Sequence, residues 1–132
     1  MLHPSVLVEM LNDEVAAARD RVGERAGTVR RIGTTVTAEI GVNLLVLDGA
    51  RYDAEPFRVS VVRRTGTPVP HEGWPPGLSL GVHPVLNRPF ACIQGTYEYH
   101  AHPSHIQDHW ARYRTSIRLP DLLDHLLRKA GR

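Results

Sequence analysis

The chain contains a single cysteine, Cys92, among its 132 residues. One cysteine excludes an internal disulfide and any zinc site built from several cysteines, and it fits a protein of the reducing cytosol. The sequence also lacks an apolar run of the roughly 18 residues needed to cross a bilayer. Its N-terminus, MLHPSVLVEMLNDE, has neither the basic head nor the long apolar stretch of a signal peptide. We therefore expect a cytoplasmic protein with no membrane partner.

Lysine is just as scarce, since Lys129 is the only one beside fifteen arginines. A GC-rich genome explains this bias. A second interpretation is that a carrier of an activated acyl group avoids amines on its own surface, because the arginine guanidinium stays protonated and is a poor nucleophile. The net charge is only +2, and no long basic run is present. We therefore expect no nucleic-acid partner.

The hydrophobic pattern predicts one globular domain over residues 1–132 that begins with a helix and continues with strands. Apolar residues recur every three or four positions between Pro4 and Val22, and Gly27 is a natural stop. The segments TTVTAEIGV, LLVLDG and FRVSVVRR then predict strands of an antiparallel meander joined by short turns. In the last of these, Phe57, Val59 and Val61 alternate with more polar residues and are predicted to share one face.

Six of the ten prolines lie in residues 68–89. Proline lacks the amide donor of a sheet ladder, so at most one short strand, LSLGV, fits in this segment, which we expect to be an ordered irregular belt. After Cys92, the pair Ser104 and Gln107 matches a capping box and predicts a helix that starts near residue 105. A leucine-rich helix is predicted to begin at Pro120 and to end before Gly131.

This order of elements and motifs resembles the ubiquitin-conjugating enzymes, including their bacterial relatives that act with ubiquitin-like proteins. The resemblance rests on five pieces in order: YDAEPFRVSV, WPPGLSL, HPV, Cys92, and Trp110 followed by LPDLLDHLL. It covers about Val6 to Lys129. It implies an α+β fold with an N-terminal helix, a four-stranded antiparallel meander, a proline-rich active-site loop and a C-terminal helix.

Three features depart from the family pattern. Val85 stands where the family has an asparagine whose amide stabilises the oxyanion formed when an amine attacks the thioester. The segment from Cys92 to Trp110 is longer than usual and rich in histidine. Only one helix follows that segment, where eukaryotic members have further helices, and this favours the shorter bacterial forms.

The resemblance implies that Cys92 accepts the C-terminus of a ubiquitin-like protein as a thioester from an activating enzyme, which would dock on the first helix. Thiolate suits this role because it is a good nucleophile and a good leaving group. His83 is expected to tie its loop to nearby backbone. With Val85 in place of asparagine, another donor must serve the oxyanion, and Asn87 is the nearest candidate. No cofactor is implied.

The histidine-rich segment leaves three interpretations open. His100 or His102 could lie over Cys92 as a donor or as the base for an incoming amine. Alternatively, His100, His102, His105 and His109 have spacings found in zinc sites, and His-x3-His on a helix would put two rings on one face. Solvated surface histidines explain the same run, and no metal site is predicted from it.

Three functions remain open from the sequence. The first is a bacterial thioester carrier of the ubiquitin-conjugating type, and the resemblance suggests a setting in antiviral defence. The second is an inactive module of the same fold that binds a ubiquitin-like protein without a covalent bond, which the missing asparagine favours. The third is a histidine-rich metal-binding protein.

Overall fold

A computed structural model describes residues 2–132 and has an α+β architecture. Three α-helices are present, α1 Pro4–Val22, α2 Tyr97–His100 and α3 Leu119–Lys129, with a short 3-10 helix, Gly23–Ala26, directly after α1. The strands are β1 Val29–Ile32, β2 Thr35–Ile40, β3 Asn43–Asp48 and β4 Arg58–Arg63. The N-terminal helix, a four-stranded antiparallel sheet and the C-terminal helix agree with the expected architecture. The three segments predicted as strands correspond to β2, β3 and β4, whereas β1 was not predicted. None of the helices in residues 2–132 is long and apolar enough to cross a membrane.

The four strands form one sheet in the order β1-β2-β3-β4, and each strand pairs antiparallel with the next. Gly33 and Gly41, with φ of 60° and 63°, each take the first position of a two-residue hairpin loop, where a positive φ is required. The third connection differs from the short turn that was predicted. It runs over residues 49–57 and includes the buried ring of Tyr52, which stacks on Phe57 at 4.2 Å.

Alternation along the strands puts one face of the sheet into the core. Phe57, Val59 and Val61 are buried as predicted, while Arg58 and Ser60 are half exposed. The buried face of the sheet shares a single hydrophobic core with two helical stripes. These are Leu7, Leu11, Val15, Ala18 and Val22 of α1, and Leu119, Leu122, Leu123, Leu126 and Leu127 of α3. Burial of these stripes fixes both helices against the sheet.

The start of α3 is anchored by a polar network that the sequence pattern did not reveal. Glu14 of α1 accepts hydrogen bonds from the Leu119 amide (2.9 Å), the Tyr52 hydroxyl (2.9 Å) and the Arg118 guanidinium. Arg118 also pairs with Asp53 at 2.9 Å. The network ties α1, the β3–β4 connection and the first turn of α3 together. Each polar side chain in it has a hydrogen-bond partner, as burial requires.

The helix predicted near residue 105 is wrong. No α-helix starts near residue 105; the segment instead forms short 3-10 turns, Pro103–His105 and Trp110–Arg112. The Ser104 amide and hydroxyl bond to His102 Nδ1, so Ser104 lies inside a turn that His102 caps and does not itself cap a helix. The proline belt contains no strand, which is within the predicted limit of at most one. LSLGV makes only one isolated bridge, from Val82 to Pro89.

Candidate functional site

Cys92 lies in an irregular segment between the proline belt and α2. Its neighbours Ala91 and Ile93 are buried, at 0% and 3% exposure, and this alternation turns the intervening cysteine outward to a half-exposed position. Cys92 is therefore only partly buried, while the residues on both sides of it are held in the core.

The immediate surroundings of Cys92 combine apolar and polar groups. The cysteine borders a cavity of about 60 Å³ together with Gly77, Leu78, Leu80 and the only lysine, Lys129. Partial burial raises the pKa of the Cys92 thiol. The only hydrogen-bond partner of the sulfur among residues 2–132 is His105, whose Nε2 lies 3.4 Å from Sγ.

The His-Pro turn before Cys92 is tied to the backbone through the buried ring of His83. Nε2 donates to the Glu98 carbonyl at 2.9 Å, and Nδ1 accepts the amides of Val85 (3.1 Å) and Leu86 (3.0 Å). These three bonds require the neutral ring with its proton on Nε2. The ring thus links the turn to α2, which is the kind of backbone attachment expected from the sequence.

Asn87 closes this same turn and adopts a left-handed conformation with φ of 54°. Its backbone amide donates to the His83 carbonyl at 2.9 Å. Asparagine is one of the few residues other than glycine that enter this conformation readily. The backbone geometry thus accounts for an asparagine at this position, and its side chain is exposed. Its expected role as an oxyanion donor stays a prediction.

A buried ion pair holds the Cys92 segment to the sheet. Glu98 of α2 is fully buried and accepts the Val59 amide of β4 at 2.8 Å. Arg88, from the end of the His-Pro turn, pairs with the same carboxylate at 2.6 Å. Burial raises the pKa of Glu98, and the charge of Arg88 together with the hydrogen bonds opposes that rise. No local sequence pattern indicates this pair, since Arg88 lies in an irregular segment ten residues before Glu98.

His100 does not lie over the cysteine. Its Nδ1 donates to the Asp108 carbonyl at 2.6 Å, and its Nε2 accepts the Gly95 amide at 3.1 Å. Both bonds need a neutral ring, and burial lowers the pKa of His100 accordingly. With both nitrogens bound to backbone, His100 is a structural bridge across the segment.

His102 has a local role too. Its Nδ1 accepts from the Ser104 amide and bonds to the Ser104 hydroxyl, and its ring stacks on Phe90 at 5.7 Å. The histidine in contact with the thiol is neither of the two predicted but His105. In the sequence His105 is only one member of the histidine run, and no spacing distinguishes it. In the folded chain His105 differs from the other histidines because its ring stacks on Tyr99.

The loop that carries His105 is fixed by Asp108. The hydroxyls of Tyr113 (2.5 Å) and Tyr99 (2.7 Å) and the amide of Gln94 (2.9 Å) all donate to this carboxylate. These bonds lower the pKa of Asp108 to about 2. Three donors from both sides of the segment thus converge on one anion, which sets the path of the chain between α2 and Trp110.

The histidine run does not converge on a metal geometry. Within residues 2–132 there is no group of three or more His, Cys, Asp or Glu side chains that could hold an ion. His105 and His109 do not share a helical face, because the chain there forms 3-10 and irregular turns. His109 is exposed, and the other three rings of the run have the separate partners described above.

Comparison of the sequence with protein-family models and with curated proteins gives no match in either case.

Proposed function

We propose that this protein is a carrier of the ubiquitin-conjugating type that holds a ubiquitin-like protein as a thioester on Cys92. The observation that carries the proposal is the partly exposed Cys92 on a backbone held by two buried neighbours, in the segment that follows the anchored His83 turn. The α+β scaffold of helix, four-stranded meander and C-terminal helix is compatible with this family. The five ordered sequence motifs add to that support.

The chemistry follows from the properties of sulfur. Sγ of Cys92 attacks the thioester carbonyl offered by an activating enzyme, a new C–S bond forms, and the enzyme's own thiolate leaves. The bond on Cys92 remains activated, so an amine can later displace the sulfur and form a stable amide. Bacterial antiviral defence is the setting that the resemblance suggests.

The size of the site favours a macromolecular substrate. The cavity beside Cys92 measures about 60 Å³, whereas sites for small molecules usually enclose about 300–1,000 Å³. A free small acyl donor would find little to bind here. An extended protein C-terminus, positioned by contacts elsewhere on its own domain, needs only access to the sulfur.

The activating enzyme is expected to dock on α1. Its inner stripe is buried in the core, while Glu9, Asn12, Asp13, Ala16 and Asp20 are exposed along the outer face. The exposed surface of α1 also carries Arg19 and Arg21, so it is polar with charges of both signs, which suits a transient contact more than a permanent one.

A non-covalent binding module of the same fold is the second candidate, and Val85 favours it. The Val85 side chain is 62% exposed and has no amide to offer an oxyanion. Removing one such donor from an enzyme costs about 2.7–4 kcal/mol of transition-state stabilisation. A module of this kind would bind the ubiquitin-like protein with Cys92 uninvolved.

The deciding experiment incubates the protein with ATP, its cognate activating enzyme and the cognate ubiquitin-like protein. We expect an adduct on non-reducing gels that a thiol reductant removes and that Cys92→Ala does not form. Cys92→Ser should give an adduct that resists the reductant, because an oxygen ester replaces the thioester. An adduct that persists in Cys92→Ala, or binding without any adduct, would contradict the carrier function, and the second result would establish the module.

A further inference from the structure

Neighbouring residues of α2 and of the loop hold the His105 ring in contact with Cys92. The His105 ring stacks on Tyr99 of α2 at 4.1 Å and an angle of 11°. The Tyr99 hydroxyl donates to Asp108 at 2.7 Å, and the His105 amide donates to the His102 carbonyl at 2.9 Å. The ring is therefore positioned from the α2 side and from its own turn, which leaves Nε2 directed at Sγ.

A contact of 3.4 Å between Sγ and Nε2 joins two groups that can exchange one proton. Either the thiol donates to a neutral imidazole, or an imidazolium donates to a thiolate. Partial burial opposes the thiolate and raises the pKa of the Cys92 thiol. Arg88, the cation nearest in sequence, is already paired with Glu98. His105 is therefore the group in place to take the proton.

We propose that His105 is a catalytic residue of this site and acts as the general base for Cys92 and for the amine that displaces it. This assignment rests on the proposed carrier function. In loading, Nε2 takes the thiol proton as the Sγ–acyl bond forms, and that proton passes to the departing thiolate of the activating enzyme. In discharge, the attacking amine forms the C–N bond, the C–Sγ bond breaks, and His105 moves the amine proton to Sγ.

Other titratable groups surround the pair and belong to any account of its pH dependence. Tyr99 and His100 approach from α2, His102 and Asp108 from the loop, and Lys129 from the end of α3. His102 provides the matched control. Its ring centroid lies 5.7 Å from that of His105, but its Nδ1 bonds to Ser104 and not to the sulfur.

The test measures the alkylation rate of Cys92 by iodoacetamide from about pH 6 to about pH 11, with the modified residue identified by mass spectrometry, and requires no partner protein. A histidine partner favours the thiolate and so opposes the rise in the pKa of Cys92 that burial causes. We expect His105→Gln and His105→Asn to lower the rate near pH 7 by about tenfold, the change in thiolate fraction that a one-unit pKa rise produces. The midpoint of the rate profile should also move to higher pH, while His102→Gln keeps the wild-type profile.

Variants of Tyr99 test the positioning of the ring. Tyr99→Phe keeps the stacking surface and should stay near the wild-type rate, whereas Tyr99→Leu removes the stack and should lose part of the His105 effect. Wild-type alkylation profiles in both His105 variants, each folded by circular dichroism, would overturn the proposal. An equal loss in His102→Gln would overturn it as well, because a general disturbance of the loop would then explain the result.

The outcomes separate this proposal from the carrier function. If alkylation depends on His105 but Cys92 forms no adduct with the activating enzyme and ubiquitin-like protein, the carrier function fails and the assignment of His105 to that reaction fails with it. If the adduct forms normally and alkylation ignores His105, the carrier function stands and the base assignment fails.

Discussion

Replacing Arg88 with methionine tests the ion pair that fastens the Cys92 segment to the sheet. Methionine keeps an apolar stem of similar length and removes the guanidinium. Glu98 is fully buried, and its carboxylate pairs with Arg88 at 2.6 Å and accepts the Val59 amide at 2.8 Å. The Arg88→Met variant therefore leaves a buried carboxylate with one backbone donor and no opposite charge.

Removing one partner of a buried ion pair costs about 3–5 kcal/mol. The Arg88 side chain is 33% exposed, so we expect the lower end, about 3 kcal/mol of unfolding free energy near pH 7. Glu98→Gln keeps an oxygen for the Val59 amide and leaves Arg88 able to reach water, so about 1.5 kcal/mol is expected. The double variant should be more stable than the sum of the two losses predicts, by about 1 kcal/mol or more.

The loss in Arg88→Met should also depend on pH. Burial raises the pKa of Glu98 above its ordinary value of 4.5, and Arg88 opposes that rise. In the interval above 4.5 the folded state then binds more protons than the unfolded chain, so stability falls as pH increases through it. Without Arg88 this interval extends to higher pH. The penalty of Arg88→Met should therefore be smaller near pH 5 than near pH 7.

Urea unfolding of the four proteins at both pH values, followed by circular dichroism, measures these differences. Glu98→Gln has no carboxyl to titrate at this position and serves as the pH control. A loss below about 1 kcal/mol for Arg88→Met near pH 7, the size typical of an exposed pair, would refute the reasoning. So would a penalty that is the same near pH 5.

Three further results are expected. Val85→Asn should speed discharge of a Cys92 thioester to free lysine by about tenfold or more, because one oxyanion donor is worth about 10²–10³ in rate. Single-turnover discharge followed on gels measures this rate, and an unchanged rate would contradict the prediction. Lys129, the only lysine, borders the Cys92 cavity. During loading we therefore expect some ubiquitin-like protein to move to Lys129 as an amide that the reductant does not remove, and this adduct should be absent in Lys129→Arg. Its persistence in that variant would show another acceptor. Leu123→Ala, at a fully buried position of α3, should lower the free energy of unfolding in urea by about 2–5 kcal/mol. Leu80→Ala, at an exposed position, should lower it by less than about 0.5 kcal/mol. Equal losses would mean that α3 is not packed as described.

The periodic elements could be predicted from the sequence because each is encoded by a local apolar pattern. α1 shows the three- and four-residue spacing of a buried stripe, and β4 alternates with period two. In both, a contiguous window contains the whole signal, so no distant residue is needed to read it. The predicted helix near 105 failed for the opposite reason. The local pattern of Ser104 and Gln107 competes there with His102, and the bonds to Asp108 that fix the path come from Gln94, Tyr99 and Tyr113.

The sequence by itself determined that a lone cysteine follows a His-Pro turn after an antiparallel meander, since these depend only on residue order and period. Only the tertiary structure decided which histidine meets it. His100, His102 and His105 are the same residue type and lie close together in the sequence, but their rings have different partners. The ring of His100 bonds to the backbone, that of His102 to Ser104 and that of His105 to Sγ of Cys92. The physical reason is that an irregular segment has no repeating geometry, so the direction of each side chain is set by stacking and hydrogen bonds with residues elsewhere in the fold.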